Sequence, residues 1–263
     1  MTTLMKYTSE SISLPNSKPP LGRPNEDYCI CDDEHGIYIM LDGVSRDAVG
    51  GVYPNPSPAA EASEIFAKNA YSYILDMLAM GFDASEFLIL DAIHCGNRFV
   101  SCYNSSGTYD FLPGTVGMVL MIDGCSVVYG FIGDCFGKVV SAGASRIFTR
   151  CQTEYVHKHK KEYTTHEIRN VICNNKGHPA GYGVLNGTDD AFLFVETGCF
   201  ELLENEKIFL YTDGFEKYIN PLPCCDLYNL TVECAKKLCE SGQNNPDDDR
   251  TLIIIEAKSD TTF

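Results

Sequence analysis

Glu206-Lys207-Ile208-Phe209-Leu210-Tyr211-Thr212-Asp213-Gly214 decides how this chain is read. A short apolar run bounded by polar residues predicts a buried strand, and this one stops at a carboxylate, so Asp213 is expected at a strand tip. Gly214 allows a sharp turn there and leaves its own carbonyl open to a ligand. Far upstream, Ile37-Tyr38-Ile39-Met40-Leu41-Asp42-Gly43 repeats the design. The mirror arrangement occurs twice: Asn25-Glu26-Asp27 precedes the strand-like Tyr28-Cys29-Ile30-Cys31, and Asp247-Asp248-Asp249 precedes Thr251-Leu252-Ile253-Ile254-Ile255.

In an antiparallel sheet the end of one strand lies beside the start of its neighbour. Asp27, Asp42, Asp213 and one residue of the Asp247–Asp249 run can therefore converge on one edge. Carboxylates at that distance do not stay ionised together unless cations neutralise them, so the pattern predicts a metal cluster. An oxygen-only ligand set selects hard ions such as Mn²⁺ or Mg²⁺ over zinc. Two such ions roughly 3.5–4 Å apart would bridge a hydroxide at neutral pH and screen the oxygens of a phosphomonoester.

Composition narrows the class. At 263 residues, with no Gly-, Ser- or Pro-rich tract dividing it, the chain is expected to form a single domain over 1–263. A hydrophobic fraction of 44% supplies a large core, while no apolar run approaches the roughly 18 residues of a membrane span. Met1-Thr2-Thr3-Leu4-Met5-Lys6 lacks the apolar core of a signal peptide, which makes a cytoplasmic location the expectation. The 13 cysteines are an odd number in a long chain and read as reduced thiols. A net charge of −16 argues against nucleic-acid partners, whose phosphates need a basic face.

Along the chain, residues 4–14 read as an edge strand, and Pro15, Pro19, Pro20 and Pro24 force an extended approach to Asp27. Arg23 in that approach is either a solvated loop residue or a guanidinium fork for phosphate. Ser57 and Pro58 open a helix whose face is expected to carry Phe66, Ala70, Tyr73, Met77 and Met80. Asp83 and Glu86 suggest a capping box for a second helix, with Ile89, Ile93, Phe99, Val100 and Tyr103 buried. Thr115–Ile122 and Cys125–Ile132 form a hairpin around Asp123-Gly124. Its second strand ends at Gly133-Asp134, which adds Asp134 to the candidate site, and Gly137–Ser141 looks like the next strand.

Residues 142–190 carry little strand pattern beyond a helix near Thr165–Cys173. So long a connection is lid-like, and substrate choice is expected there. Within it, His157-Lys158-His159-Lys160-Lys161 is read as a solvated loop in preference to a phosphate-steering patch. Ala191–Glu196 is expected to be a strand, Cys225–Cys239 a helix and 251–256 the closing strand.

Taken in order, Arg23 with Asn25-Glu26-Asp27, then Asp42-Gly43, Gly114-Thr115, Gly133-Asp134, Thr212-Asp213-Gly214 and Asp248-Asp249-Arg250-Thr251 resemble the motifs of the metal-dependent serine/threonine protein phosphatases of type 2C, in their bacterial-like branch. The resemblance runs from about residue 20 to 256. It implies an α+β fold, two stacked antiparallel β-sheets flanked by α-helices, that hydrolyses phosphoserine and phosphothreonine in proteins. It also implies Mn²⁺ or Mg²⁺ as cofactor, with two ions and a weaker third. Carried over, Asp42 would bridge both ions, the Gly43 carbonyl would hold one, and Asp213 and Asp248 the other. Asp27 and Glu26 would act through waters, Asp134 would serve the third ion and Arg23 would bind phosphate. Asp249 stays open as an alternative to Asp248. Partners implied are a phosphoprotein substrate and a Ser/Thr kinase or its targets, with neither nucleic acid nor membrane.

The sequence departs from that pattern in two places. Arg23 stands one residue closer to the aspartate than is usual, which makes Arg46 a substitute for it in substrate binding. Val44 stands where some members carry a histidine proposed as general acid, which leaves a metal-bound water to protonate the leaving group. Other phosphatase chemistries fit poorly. Asp247-Asp248-Asp249-Arg250-Thr251 has the spacing of an aspartyl-phosphate nucleophile but does not follow a strand. No cysteine has an arginine six positions on, and no phosphate-cradling Gly-Lys-Ser/Thr loop occurs. A catalytically inactive binding module and a phosphatase of small phosphoesters are the remaining alternatives.

Overall fold

The computed structural model describes residues 6–16, 24–44, 54–241 and 248–258. In chain order these form β1 (Lys6–Leu14), β2 (Tyr28–Asp32), β3 (Ile37–Gly43), α1 (Pro58–Ala79), α2 (Glu86–Ser105), β4 (Thr115–Asp123), β5 (Ser126–Ile132), β6 (Phe136–Val140) and β7 (Ser145–Ile147). Then follow α3 (Glu154–Lys158), α4 (Thr165–Glu167), β8 (Glu196–Glu201), β9 (Lys207–Tyr211), α5 (Asp213–Ile219), α6 (Cys224–Tyr228), α7 (Val232–Ser241) and β10 (Arg250–Lys258). The strands make two five-stranded sheets, ordered β1-β10-β9-β6-β7 and β2-β3-β4-β5-β8, with every pairing antiparallel.

The central strands are buried on both faces, and their alternation divides them between two cores. In β3, Tyr38 and Met40 point between the sheets, where they meet Leu210, Ile253 and Ile255 of the other sheet. Ile37, Ile39 and Leu41 point outward onto Phe66, Ala70 and Ile74 of α1 and Ile89 and Ile93 of α2. On the far side, Phe209, Tyr211, Leu252 and Ile254 pack on Phe215 and Ile219 of α5 and on Leu227, Leu230 and Ala235. The result is helix, sheet, sheet, helix, because each apolar sheet face must be covered.

Several local expectations are corrected. The buried face of α1 runs through Phe66, Ala70 and Ile74, and Met80 is 69% exposed just past the helix end. Ser85, not Asp83, caps α2 by accepting the Leu88 N–H at 3.2 Å, and Phe99 faces outward. Glu86 is turned away from the cap and accepts from Thr197 at 2.6 Å. Asp189–Phe194 is a 3₁₀ turn, and the strand comes afterwards as Glu196–Glu201. As an edge strand with one face open it carries polar residues, which hides it from an apolar-run criterion. The helix expected over Cys225–Cys239 is two helices, α6 and α7, broken between Asn229 and Thr231. All 13 cysteines are free thiols, and among the described residues no helix is long and apolar enough to cross a membrane.

Candidate functional site

The antiparallel order brings one set of strand ends together. β3 and β9 finish where β2 and β10 begin: Tyr28 pairs with Leu41, and Leu252 with Tyr211. β5 ends at the same rim, where Gly133, with φ +90°, lets the chain cross to β6 in the other sheet. That left-handed backbone suits glycine, and a Cβ there would run into the Val116 side chain. Acids from both sheets meet around a cavity of about 510 Å³, lined by Asp42, Gly43, Asp134, Asp213 and Asp248 among others.

Each acid is fixed differently. Asp42 belongs to β3, and its carbonyl accepts the Thr115 hydroxyl at 2.8 Å. Gly43 must be glycine because a Cβ would lie 2.6 Å from the Glu26 carbonyl oxygen, which the Gly43 N–H itself contacts at 3.1 Å. Asp134 accepts from Thr153 at 2.6 Å. Asp213 opens α5 directly after the extended Thr212, so the carboxylate sits at a helix start and not in a turn. Gly214 lies in the first turn of that helix, where a Cβ would collide with the Asp249 carbonyl. It is there for close packing, not for the sharp turn expected of it.

Asp27 is buried beneath this group, with one carboxylate oxygen accepting from Thr212 at 3.1 Å. The neighbours Asp248 and Asp249 have separate roles. Asp248 is exposed to the cavity, whereas Asp249 is 3% exposed and saturated. Its carboxylate accepts from the Asn16 N–H at 2.7 Å, the Asn16 side chain at 2.8 Å and the Glu26 N–H at 2.8 Å. Glu26 is also turned inward and accepts from the Ser57 hydroxyl, which in turn accepts the Ala60 N–H as the α1 cap. Val44 lines the cavity, as do His157, Lys160 and Arg169. Arg23 and Arg46 lie outside the described residues.

The electrostatics are those of crowded acids. Burial raises the Asp42 pKa well above the carboxylate range, reinforced by Asp27, Asp213, Asp248 and Asp134. Asp27 is raised likewise, by burial first and by Asp249 and Asp248 against the hydroxyls that favour its charge. Asp213 is pushed up to about 8 by burial and then by Asp134 and Asp248. Among the described residues no group of three or more His, Cys, Asp or Glu side chains is drawn tightly enough to form a finished metal cage. The set nonetheless fits hard cations: Asp27 Oδ1 and Asp213 Oδ1 are buried with no hydrogen-bond partner. An oxygen so placed carries a desolvation cost that a cation would offset.

No protein-family model and no curated protein matches the chain in sequence. Solved structures do match in fold. The Mycobacterium tuberculosis serine/threonine phosphatase PstP/Ppp superposes with a TM-score of 0.66 at 14% identity, covering 97% of this chain and 100% of that one. The architecture is that of the PPM-type serine/threonine phosphatases. The catalytic domain of PstP in complex with two manganese ions gives 0.66 at 16% identity over 97% and 100% of the two chains. PppA, a key regulatory component of T6SS in Pseudomonas aeruginosa, gives 0.65 at 15% over 96% and 98%. At these identities the likeness is one of fold, and the PPM-type fold accounts for the two sheets and their flanking helices.

The acids expected at the strand ends, Asp42, Asp134, Asp213 and Asp248, line one cavity, while the residues that hold them in place carry little signal in the sequence. Thr153 and Asn16 carry no periodic signal, and Ser57 was legible only as a helix cap. Arg169 falls within the helix expected near Thr165–Cys173, but nothing in the spacing ties it to the acids. His157 and Lys160 are solvent-exposed, as a solvated segment requires, and also line the acid-lined cavity.

Proposed function

We propose that the chain is a metal-dependent phosphatase of phosphoserine and phosphothreonine in proteins. The observation that carries this reading is the pair of partnerless buried oxygens, Asp27 Oδ1 and Asp213 Oδ1, beneath a cavity rimmed by Asp42, Asp134 and Asp248. Asp42, Asp213 and Asp248, with the Gly43 carbonyl, would hold two divalent ions, Asp134 a third, and Asp27 would support them from below. When bound, Mn²⁺ or Mg²⁺ supplies an activated water and neutralises the phosphoryl oxygens. The PstP catalytic domain with two manganese ions, alike in fold, supports manganese as the first ion to test.

The chain's own residues then have distinct tasks. Thr153 orients the Asp134 carboxylate, and Thr212 holds one oxygen of Asp27, leaving the other for a ligand. Asp249 fixes the loop that carries Glu26 and Asp27. Val44, Val116, Val156 and Tyr182 give the cavity an apolar lining, which strengthens the charge interactions inside it. Val44 has no proton to give, so proton delivery to the leaving group falls to water or to a side chain on another wall.

The test is turnover of p-nitrophenyl phosphate by the full chain, alongside Mn²⁺ affinity by calorimetry. Turnover that needs Mn²⁺, stops in EDTA and is lost in Asp213→Asn supports the reading. Mn²⁺ binding without turnover of any phosphoester would instead make the chain a binding module. Preference for small phosphoesters over phosphothreonine peptides would move the substrate class.

A further inference from the structure

The strand ends give the cavity its acids, and the segment 142–190 gives it its bases. In a chain with 20 Lys and Arg residues against 36 Asp and Glu, the Lys and Arg side chains among the described lining residues are Lys160 and Arg169, with His157 beside them. All belong to the stretch around α3 and α4. Within the His157–Lys161 run, Lys158 and His159 are paired with Glu154 and Glu162 on the same segment, while His157 and Lys160 face the cavity.

Arg169 has a second neighbourhood. It also lines an adjoining cavity of about 490 Å³, together with Asn170, Lys176 and Asp190, and its guanidinium lies 5.4 Å from the centre of the Phe111 ring. Stacking on an aromatic face holds a guanidinium in one place while its edge keeps its hydrogen-bonding geometry. The arginine thus lines both the acid-lined cavity and a second space large enough for a neighbouring side chain.

We propose that Lys160 and Arg169, with His157 beside them, read a second anionic group on the substrate, a carboxylate or another phosphate next to the phosphoresidue. The proposal rests on the phosphatase reading and adds the substrate class: acidic or multiply phosphorylated segments. Exposed charge pairs contribute modestly each, so two cations acting on one anion give roughly a 3- to 10-fold preference in kcat/KM. The preference also weakens as salt is added.

The experiment compares phosphothreonine peptides that differ at one neighbouring position, carrying Glu, a second phosphothreonine, Ala or Lys. The Mn²⁺-loaded full chain should favour the Glu and doubly phosphorylated peptides over Ala, with Lys last. Relative rates of the first two distinguish carboxylate from phosphate as the anion read. Lys160→Glu combined with Arg169→Gln should invert the order, placing Lys first, an inversion that general damage to the fold does not produce. An unbiased wild type, or a double variant that keeps the acidic preference, overturns the proposal. Where p-nitrophenyl phosphate and all peptides remain uncleaved, the phosphatase reading has failed by itself. Fluorescence anisotropy of the same labelled peptides on both proteins then decides whether the cationic wall selects anions.

Discussion

The carboxylate of Asp249 accepts the backbone N–H of Glu26 at 2.8 Å, across 223 positions of the chain. The same carboxylate holds Asn16 by two further hydrogen bonds. It therefore ties the start of β10 to the segments that follow β1 and precede β2.

Asp249→Ala should consequently act on stability. Losing a buried, charge-assisted acceptor and leaving the amides unsatisfied costs roughly 2–4 kcal/mol. Urea denaturation of the metal-free protein should register that loss in full. Asp248→Ala, a change at the exposed neighbour whose own pKa is raised by burial and by nearby acids, should not lower the metal-free midpoint and should weaken Mn²⁺ binding. Equal destabilisation by the two substitutions would contradict the division of roles.

Asp213→Asn should stabilise the metal-free protein. Asp213 has a pKa of about 8 in the folded chain, against about 4 for an unperturbed aspartate. Between those values the folded state keeps a proton that the unfolded state has released. Wild-type stability therefore falls as pH rises through that window and stays low above it. Asparagine has no such proton. In EDTA the melting point of the variant should exceed that of wild type by a margin that grows from about pH 5 to about pH 8. Parallel melting curves across that window would refute the assignment.

Manganese should reverse that order. An ion that binds only the folded chain stabilises by about 2.7 kcal/mol at a concentration 100 times its dissociation constant, or about 5 °C or more for a protein this large. Wild type should gain that increment in differential scanning fluorimetry, whereas Asp213→Asn should gain little. No shift in wild type at millimolar Mn²⁺ would remove the basis for a metal centre.

Gly214→Ala should be harmful although glycine in a helix is ordinarily unfavourable. Its new methyl would meet the Asp249 carbonyl and lie 2.8 Å from the Arg250 side chain. Overpacking against backbone costs roughly 1–3 kcal/mol or more. A rise in stability, the usual result of Gly→Ala in a helix, would show that α5 and β10 can move apart.

Much of this architecture was legible in the chain because its central strands are short apolar runs with acids at fixed ends. The β3 and β9 acids stand at the ends of their strands and the β2 and β10 acids precede theirs, so antiparallel pairing gathers two in each sheet and stacking of the sheets brings the pairs together. What escaped was set by tertiary contact. Met80 looked like a continuation of the α1 stripe but lies beyond the last turn, where nothing covers it. Glu86 matched a capping box by spacing, yet Ser85 had the better position, and only the fold gives Glu86 its partner in Thr197. The strand β8 alternates between half-buried and exposed positions as an edge strand does, so the apolar 191–195 drew attention away from it. For the 157–161 run the sequence favours a solvated loop over a phosphate-steering patch, and Arg169 is legible only as part of a helix, because no spacing links either to the acids that the fold sets beside them.

Neither sheet owns a whole set of acids: Asp27 and Asp42 come from one layer, Asp213 and Asp248 from the other, and Asp134 from the crossing between them. If the proposed ions bind there, cation affinity becomes a gauge of assembly, since a half-docked sandwich offers only fragments of a binding site. A cation captured at the seam would rivet the layers together, and starvation for it should loosen the molecule from that rim inward.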